Sequence, residues 1–416
     1  NMGGGLMQLV AYGAQDIYLT GNPQITFFKV VYRRHTNFSM EAIEQTWNGT
    51  VGFGNRVTAT ISRNGDLVHK MYLETVGTPT NAEAMNVGNS IINTVELEIG
   101  GQKIDKHTGR SMQVFADLEK SNANGCGSTA GDGTNHTLYQ MMSCTGENTR
   151  ATTESTFYVP LNFWFCRNPG LALPLIALQY HEVKVILELG SDGTTNTPST
   201  SGLSDLASAD LWVDYIYLDT DERRRFAQVS HEYLIEQLQT QTFTTSAPST
   251  TGVTDNFELN FNHPVKELVW AYQGAGKADI DTAASYLAAA QTSTSKCLIL
   301  DLCKYQLKLN GHDRFAERKG SYFSRVQVYQ HHSGFGGIGL PANESGADGI
   351  FVYSFALKPE EHQPSGTCNF SRIDNAQLRA TTAQNSLSAA LTLHVYAVNY
   401  NVLRIMSGMG GLAYSN

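Results

Sequence analysis

Short motifs that contain glycine or histidine are the places where this sequence could carry out chemistry. The run GFGGIG at 334–339 has the G-x-G-x-x-G spacing of a loop that holds a dinucleotide. That role needs a strand before the loop, a helix after it and an acidic residue about twenty positions on. Here Leu340-Pro341 and further loop residues follow, so the run predicts a surface loop.

Histidines beside acidic or histidine neighbours are the next candidates. His181-Glu182 and His231-Glu232 begin like the H-E-x-x-H motif of zinc proteases, but neither has the second histidine. His331-His332 has the donor atoms for weak metal binding, although adjacent loop histidines more often face solvent. No cysteine has an evident histidine partner, and no G-x-S-x-G elbow is present. We therefore expect no catalytic residues, no metal and no cofactor, and favour a structural or binding role.

The charge balance argues against direct contact with nucleic acid. The chain has 416 residues, a formal net charge of −9 and only 16% charged residues. A protein that coats DNA needs a basic face or tail to neutralise phosphates. Its basic runs are short, at Arg33–His35, Arg223–Arg225 and Arg318-Lys319, and are typical of solvated or salt-bridged clusters.

Cysteine usage and hydropathy describe a chain without disulfides or membrane spans. The six cysteines form no C-x-x-C pair, which favours reduced thiols made in a reducing compartment. The longest apolar run, Leu171 to Leu178, is interrupted by Pro174 and is far too short to cross a bilayer. We therefore expect no membrane insertion.

The elements that would position any site are mostly strands. Apolar and polar residues alternate, with β-branched and aromatic residues enriched. The predicted strands include Val57–Ile61, Val183–Leu187, Leu211–Tyr217, Val326–Val328 and Leu391–Val395. Helices are few: Ser111–Lys120 has one apolar face, and Ala283–Gln291 is rich in alanine. Long polar loops separate these elements.

The sequence contains an internal repeat of its strand and hairpin segments. VELEIGGQKID (95–105) matches YQLKLNGHDRF (305–315), and Gly-Gly and Asn-Gly at the centres predict two-residue hairpins, because such turns need positive φ at both positions. Three further matches occur in the same order in both halves, pairing 64–73 with 262–271, 157–165 with 351–357, and 211–218 with 391–398. The sequence therefore predicts a duplicated all-β domain of about 200 residues.

The predicted fold is a double jelly roll: two consecutive eight-stranded antiparallel sandwiches with long loops and few short helices. Immunoglobulin-type sandwiches are too small to account for each repeat. The predicted division is an N-terminal arm at 1–24, a first jelly roll at 25–222, a linker at 223–230, a second jelly roll at 231–405 and a C-terminal tail at 406–416.

Long segments of the chain closely resemble the major capsid proteins of nucleocytoplasmic large DNA viruses, chlorella-virus type. The resemblance covers nearly the whole chain outside the polar loops. It lies in Leu9–Phe38, Ile61–Val68, Glu96–His107, Asn168–Val185, Trp212–Gln228, His231–Gln239, Asp313–Phe323, Tyr353–Leu378 and Tyr400–Asn416.

The resemblance implies a structural protein and not an enzyme. It implies homotrimers that form pseudo-hexameric capsomers and tile an icosahedral virion shell over an internal membrane, after assembly in the host cytoplasm. The implied partners are neighbouring capsomers, minor capsid or cement proteins and a penton protein, with the inner membrane nearby and no direct nucleic acid.

Two sets of residues are predicted to face other molecules. We expect inter-subunit contacts at Gln8, Tyr12, Asp16, Tyr18, Pro169, Leu171 and Leu173, with internal packing as the alternative for the apolar stretch Asn168–Leu178. Asn135 and Asn343 lie in sequons within predicted loops and are candidate glycosylation sites. A glycan-binding, lectin-like sandwich is the alternative function, and a sandwich-fold hydrolase is weaker because no acid/base pair is evident.

Overall fold

A computed structural model describes most of the chain in two units, residues 1–37 and residues 38–416. The described residues are 4–24, 28, 30, 32–79, 87–120, 138–143, 155–190, 203–246, 253–273, 303–334, 336, 350–382 and 392–414.

The N-terminal unit contains two short helices, α1 (Gly4–Val10) and α2 (Ile17–Thr20). Asp16 precedes α2 and its carboxylate accepts a hydrogen bond from the backbone N–H of Gly13 at 2.7 Å. The Thr20 hydroxyl donates to the carbonyl of Asp16, also at 2.7 Å. These local bonds hold the turn between the helices, while apolar side chains of the unit remain exposed.

Strands make up most of the described part of the larger unit. The strands of the first half are β1 (Phe38–Gln45), β2 (Trp47–Asn48), β3 (Arg56–Thr60), β4 (Leu67–Pro79), β5 (Ile92–Ile99), β6 (Gln102–Thr108), β7 (Ser155–Pro160), β8 (Leu173–Pro174), β9 (Val183–Leu189) and β10 (Leu203–Leu218). Those of the second half are β11 (His231–Thr244), β12 (Val253–Glu258), β13 (Pro264–Gln273), β14 (Lys304–Leu309), β15 (His312–Asp313), β16 (Arg318–Lys319), β17 (Ile350–Ser354), β18 (Cys368–Asn369), β19 (Ala376–Thr382), β20 (Thr392–Met406) and β21 (Met409–Leu412).

The helices of this unit are short and lie between strands. They are α3 (Val87–Ser90), α4 (Gly109–Glu119), α5 (Leu138–Ser143), α6 (Trp164–Arg167), α7 (Thr220–Gln228) and α8 (Gln327–His331). Single 3-10 turns occur at Pro169–Leu171, Leu175–Ala177 and Phe370–Arg372, and a π-helical turn at Tyr322–Val326 leads into α8.

The two halves repeat one strand order. In the first half, sheet I has the order β1-β10-β4-β7 with β8 beside β4, and sheet II has the order β2-β3-β9-β5-β6. In the second half, sheet III has the order β11-β20-β13-β17 with β18 beside β13, and sheet IV has the order β12-β19-β14-β15. All the pairings are antiparallel, so each half is a jelly roll and the predicted double jelly roll is confirmed.

The repeated hairpins have the predicted turns. Ile99 pairs with Gln102, and the two residues between them, Gly100 and Gly101, have φ of 59° and 84°. Leu309 pairs with His312 across Asn310-Gly311, where φ is 50° and 80°. Positive φ at both central positions closes a two-residue turn whose twist matches that of the strands, which explains the Gly-Gly and Asn-Gly pairs.

Each half has its own apolar core between its two sheets. Val95, Leu97 and Ile99 on alternate positions of β5 point into the first core, and Leu268, Trp270 and Tyr272 on β13 point into the second. The residues between those on β13, Val269 and Ala271, are also buried, but on the other face of sheet III. Sheet III is therefore covered on both faces, which accounts for the apolar run Leu268–Tyr272 within β13.

The structure corrects one predicted strand and the register of the repeat. The prediction of a strand at Val326–Val328 is wrong: these residues lie in the π-helical turn and α8, which place Phe323 in the second core and Val328 in a cluster on the outer face of sheet III. The match of 64–73 with 262–271 is one residue out of register, because the inward residues Met71 and Leu73 correspond to Leu268 and Trp270, and a slip of one residue reverses the two faces of a strand. The match of 211–218 with 391–398 is four residues out, because Val213 pairs with Met71 and Ala397 pairs with Leu268.

Two other predicted segments have regular structure. Most of the predicted linker at 223–230 belongs to helix α7, where Arg223 pairs with the buried Asp66 at 2.8 Å. Within the predicted tail, 406–416, strand β21 folds back on β20, and Gly410 bonds the His181 ring of the first half. The predicted helix Ala283–Gln291 lies outside the described residues.

Candidate functional site

The contact between the two halves, which we call the junction, is the most elaborate site among the described residues. Its apolar part forms where α4 of the first half packs on the outer face of sheet III. Phe115 meets the Tyr396 ring edge-on, with 6.2 Å between ring centroids. The buried members of this cluster are Val114, Phe115, Leu118, Val269, Ala271, Val328, Ile350, Val352, Tyr396 and Val398.

Both ends of α4 are held by specific polar contacts. At its start, Thr108 and Ser111 form a capping box in which each side chain accepts from the other residue's backbone N–H. At its end, the N–H groups of Gly334 and Gly336 donate to the carbonyls of Leu118 and Asp117 at 2.7 and 3.1 Å. A Cβ at Gly334 would lie 2.2 Å from a carbonyl oxygen of the helix, so only glycine fits. The described part of GFGGIG therefore caps a helix end of the other half.

Glu236 on β11 is the centre of a buried charge cluster in the junction. Its carboxylate lies 2.7 Å from the Arg167 guanidinium of the first half and 2.9 Å from the ammonium of Lys266 on β13. Lys266 is 2% exposed and also donates to the carbonyl of Pro359 at 2.6 Å. A buried ammonium is stable only when it is paired and hydrogen-bonded, so Glu236 holds elements of both halves together.

His332 forms a second buried ion cluster. Its side chain is fully buried, with Nε2 3.0 Å from Glu267 and Nδ1 3.3 Å from Glu360. Burial alone would lower the pKa of His332, but the two carboxylates raise it to about 10. Burial would raise the pKa of Glu267, and the positive charge of His332 lowers it instead. The expectation that this histidine pair faces solvent is wrong for His332, which is cationic at neutral pH.

Asp105 protects the edge of sheet III. One carboxylate oxygen accepts from the backbone N–H of Leu238 on edge strand β11 at 3.1 Å, and the other lies 2.9 Å from Nε2 of His107. The Gln237 side chain donates to the carbonyl of Ile104 on the facing strand. Unpaired edge groups promote association with other strands, and here the first half satisfies the N–H of Leu238.

The junction contains little free space. The space lined by Asp105, Arg167 and Glu236 is about 20 Å³, roughly the room for one water molecule. Within the part of the chain that the structure describes, no group of three or more His, Cys, Asp or Glu side chains is arranged to hold a metal ion. The charged side chains instead form ion pairs with one another.

The predicted contact residues of the N-terminal unit are accessible. Tyr12 is 59% exposed and Tyr18 is 89% exposed, and Gln8 is also exposed. Asp16 is partly buried because it caps the local turn. Exposure makes these side chains available for contact with another molecule.

The predicted contact residues after α6 differ in how far they are exposed. Pro169 is exposed, while Leu171 is partly buried against the first core. Leu173 is 1% exposed and pairs with Val68 as part of β8. Leu173 therefore packs inside the chain, and contact with a second chain stays a prediction for Pro169 and Leu171. Asn135 and Asn343 lie outside the described residues.

Sequence reasoning missed the charged residues of the junction. Lys266-Glu267 interrupts an otherwise apolar strand, and charges at such positions are costly unless paired. That interruption was the available signal. Their partners, Arg167, Glu236 and His332, come from distant parts of the sequence and could not be assigned to them.

No helix among the described residues is long and apolar enough to cross a membrane.

Comparisons with known proteins match both halves of the chain. The family described as large eukaryotic DNA virus major capsid protein matches residues 222–411, and the family described as major capsid protein N-terminus matches residues 26–219. The chain is 52% identical to the major capsid protein of Pyramimonas orientalis virus and 47% identical to that of Paramecium bursaria Chlorella virus 1, over the full length of both chains in each case.

Solved structures match the fold. A chain in a quasi-atomic model of the PBCV-1 virus capsid is similar with a TM-score of 0.79 and 42% identity, covering 94% of this chain and 100% of that one. The Faustovirus major capsid protein has a TM-score of 0.64 at 13% identity, covering 95% of this chain and 94% of that one, which is a likeness of fold alone.

Proposed function

This chain belongs to the large eukaryotic DNA virus major capsid proteins, structural components of the virion shell, and we propose that three copies assemble into one pseudo-hexameric capsomer. In this proposal, capsomers tile an icosahedral shell over an internal membrane. The family consists of shell proteins and not of enzymes, in keeping with a junction whose charges pair with one another.

The repeated strand order of the two halves is the observation that carries the proposal. Hexagonal packing requires six similar contact faces, and a ring of three chains with two jelly rolls each offers six similar bodies. Cyclic symmetry closes such a ring with one kind of contact between neighbouring chains. The junction supports this role because its paired charges and apolar cluster fix one half against the other.

The proposed domain division is the one predicted from the sequence. We assign an arm at 1–24, a first jelly roll at 25–222 and a second at 231–405, joined at 223–230 and followed by 406–416. The arm would contact neighbouring subunits or minor proteins through Gln8, Tyr12, Asp16 and Tyr18, since its apolar side chains are exposed. Pro169 and Leu171 would add to a contact between chains.

The remaining partners follow from the shell role. Neighbouring capsomers, cement proteins and a penton protein would bind the capsomer, and assembly would take place in the host cytoplasm. The net charge of −9 disfavours direct binding of the genome. The membrane would lie near the shell without insertion of this chain, and Asn135 and Asn343 would carry glycans if their loops face outward.

The native mass of the purified full chain tests the capsomer. Three chains of 45.5 kDa give about 137 kDa, and obligate interfaces of that kind commonly bury roughly 2,000–5,000 Å². We expect light scattering to report the trimer mass down to low micromolar concentration. A 45.5 kDa monomer under those conditions would contradict the proposal.

A further inference from the structure

The helix α4 and the segment from Gly320 to α8 occupy equivalent places in the two halves. In the first half Gly109 comes directly after β6, the second strand of the repeated hairpin, and in the second half Gly320 comes directly after β16, the next strand beyond that hairpin. Counting from Gly109 and Gly320, Met112 corresponds to Phe323, and both point into the core of their own half. The two segments therefore pack in the same way on their own jelly rolls.

The next residues along these segments differ in exposure. Phe115 and Leu118 of α4 are 6% and 0% exposed because they pack on the outer face of sheet III. At the same count, and across the wider π-helical turn of this segment, Val326 and Tyr329 are 41% and 89% exposed. The second half thus presents on its surface the side chains that the first half buries in the junction.

The outer face of sheet I is the counterpart of the face that α4 covers. Tyr72 pairs with Trp212 on sheet I as Val269 pairs with Tyr396 on sheet III. Trp212 therefore stands where Tyr396 receives Phe115. The rings of Tyr72 and Trp212 stack with 6.4 Å between centroids, and the adjacent Tyr158 is 38% exposed, so this face offers an aromatic surface.

We propose that Val326 and Tyr329 of one chain pack on Tyr72 and Trp212 of a second copy, in the arrangement that α4 has on sheet III. This inference rests on the proposed trimer and identifies its interface. Each chain then offers one segment and one face, which makes the contact head-to-tail. The contact of α4 with sheet III inside a chain and the proposed contact of the second segment with sheet I of the next chain then share one geometry. Repeating this geometry closes a ring of six jelly rolls from three chains.

Charge complementarity supports a second copy as the occupant. Arg325 stands where α4 has Val114, and Arg318 and Lys319 lie just before it on β16. On the outer face of sheet I, Glu74 stands where sheet III has Ala271, and Asp214 where it has Val398. The junction inside the chain is apolar at these positions, whereas the proposed interface would join a basic segment to an acidic face.

The test is a charge exchange across the proposed contact in the full chain. Arg325→Glu places like charges opposite Glu74, and Tyr329→Asp removes the apolar anchor, so each should weaken trimer association by at least about tenfold. The double variant Arg325→Glu/Glu74→Arg restores opposite charges and should recover most of the association. Sedimentation and light scattering over a concentration series measure the dissociation constant.

Tyr329→Phe is the matched control, because it keeps the ring and should leave the trimer intact. Near-UV circular dichroism checks that each variant remains folded, as expected for exposed positions. A wild-type monomer would overturn the proposed capsomer together with this interface. A wild-type trimer that tolerates both Arg325→Glu and Tyr329→Asp, or a double variant no tighter than Arg325→Glu, would overturn this interface alone.

Discussion

Replacing His332 by glutamine removes a buried positive charge from the junction and nearly conserves the size of the side chain. The carboxylate of Glu267, 2% exposed, then loses the partner that lies 3.0 Å away. Glu360 loses its partner too, but it is 28% exposed and its carboxylate keeps the backbone N–H of Ser333 at 2.7 Å. The main cost therefore falls on Glu267.

The size of the loss follows from the charges around His332. Raising its pKa from 6.5 to about 10 corresponds to about 5 kcal/mol at roughly 1.36 kcal/mol per pKa unit. This is an upper figure, because Lys266 and Arg167 also lower the pKa of Glu267 and remain in the variant. We expect the free energy of unfolding to fall by about 3–5 kcal/mol, the usual cost of breaking a buried ion pair from one side.

The loss should depend on pH in a defined direction. The stabilisation from His332 is complete below its unfolded pKa of 6.5 and disappears as the pH rises through about 10. The pKa values of Glu267 and Glu360 are lowered from 4.5, so their contribution is present above pH 4.5 and disappears on acidification. The difference between wild type and His332→Gln should therefore be largest between pH 4.5 and 6.5 and shrink towards pH 10.

Urea unfolding followed by tryptophan fluorescence measures this difference at pH 6, 8 and 10, with the chain concentration held constant. The matched control is His331→Gln, because His331 is partly exposed and bonds only the carbonyl of Leu357 among the contacts described, a bond that glutamine can also make. Equal stability of the two variants at pH 6, or a difference that grows towards pH 10, would refute the assigned charge of His332.

Three further predictions concern the junction and the N-terminal unit. Glu236→Ala leaves Lys266 buried and unpaired and should lower the free energy of unfolding, measured in urea, by about 3–5 kcal/mol. The control Glu232→Ala breaks an exposed pair with Arg404 and should lower it by at most about 1 kcal/mol. Gly334→Ala forces a methyl group against the end of α4 and should lower the free energy of unfolding by about 1–3 kcal/mol. The control Gly170→Ala, at an exposed turn, should be nearly neutral. Equal melting temperatures of the two variants would contradict the capping role of Gly334. Deleting residues 2–22 should leave a soluble trimer that assembles poorly, and electron microscopy of normal shells from that chain would argue against an arm.

The duplicated architecture could be predicted from sequence because it depends on local periodicity. Alternating apolar residues indicate strands, and Gly100-Gly101 and Asn310-Gly311 fix the hairpin turns through the positive φ that both positions need. The order of the four matched segments then predicted two copies of one fold. The same reasoning failed at Val326–Val328, where alternating valines resemble a strand. The chain instead forms a π-helical turn and α8, with Phe323 in the second core and Val328 on the outer face of sheet III.

The junction could not be predicted, because its contacts join residues far apart in the chain. Arg167 and Glu236 are 69 positions apart, and Ser333 reaches the last turn of α4 across 214 positions. Sequence identifies each charge but not the partner that makes its burial tolerable. Only the packing of α4 on sheet III brings these groups together.

The sequence by itself determined two jelly rolls, their turns and the family, since strand periodicity, turn chemistry and long matched segments are properties of neighbouring residues. The tertiary structure decided which side chains are core and which are surface. Leu173 is buried inside the chain, and His332 is a buried cation. Val326 and Tyr329 are exposed, whereas Phe115 and Leu118 are covered by sheet III. Burial depends on what the rest of the chain places against a residue, and that is set only when the two halves pack together.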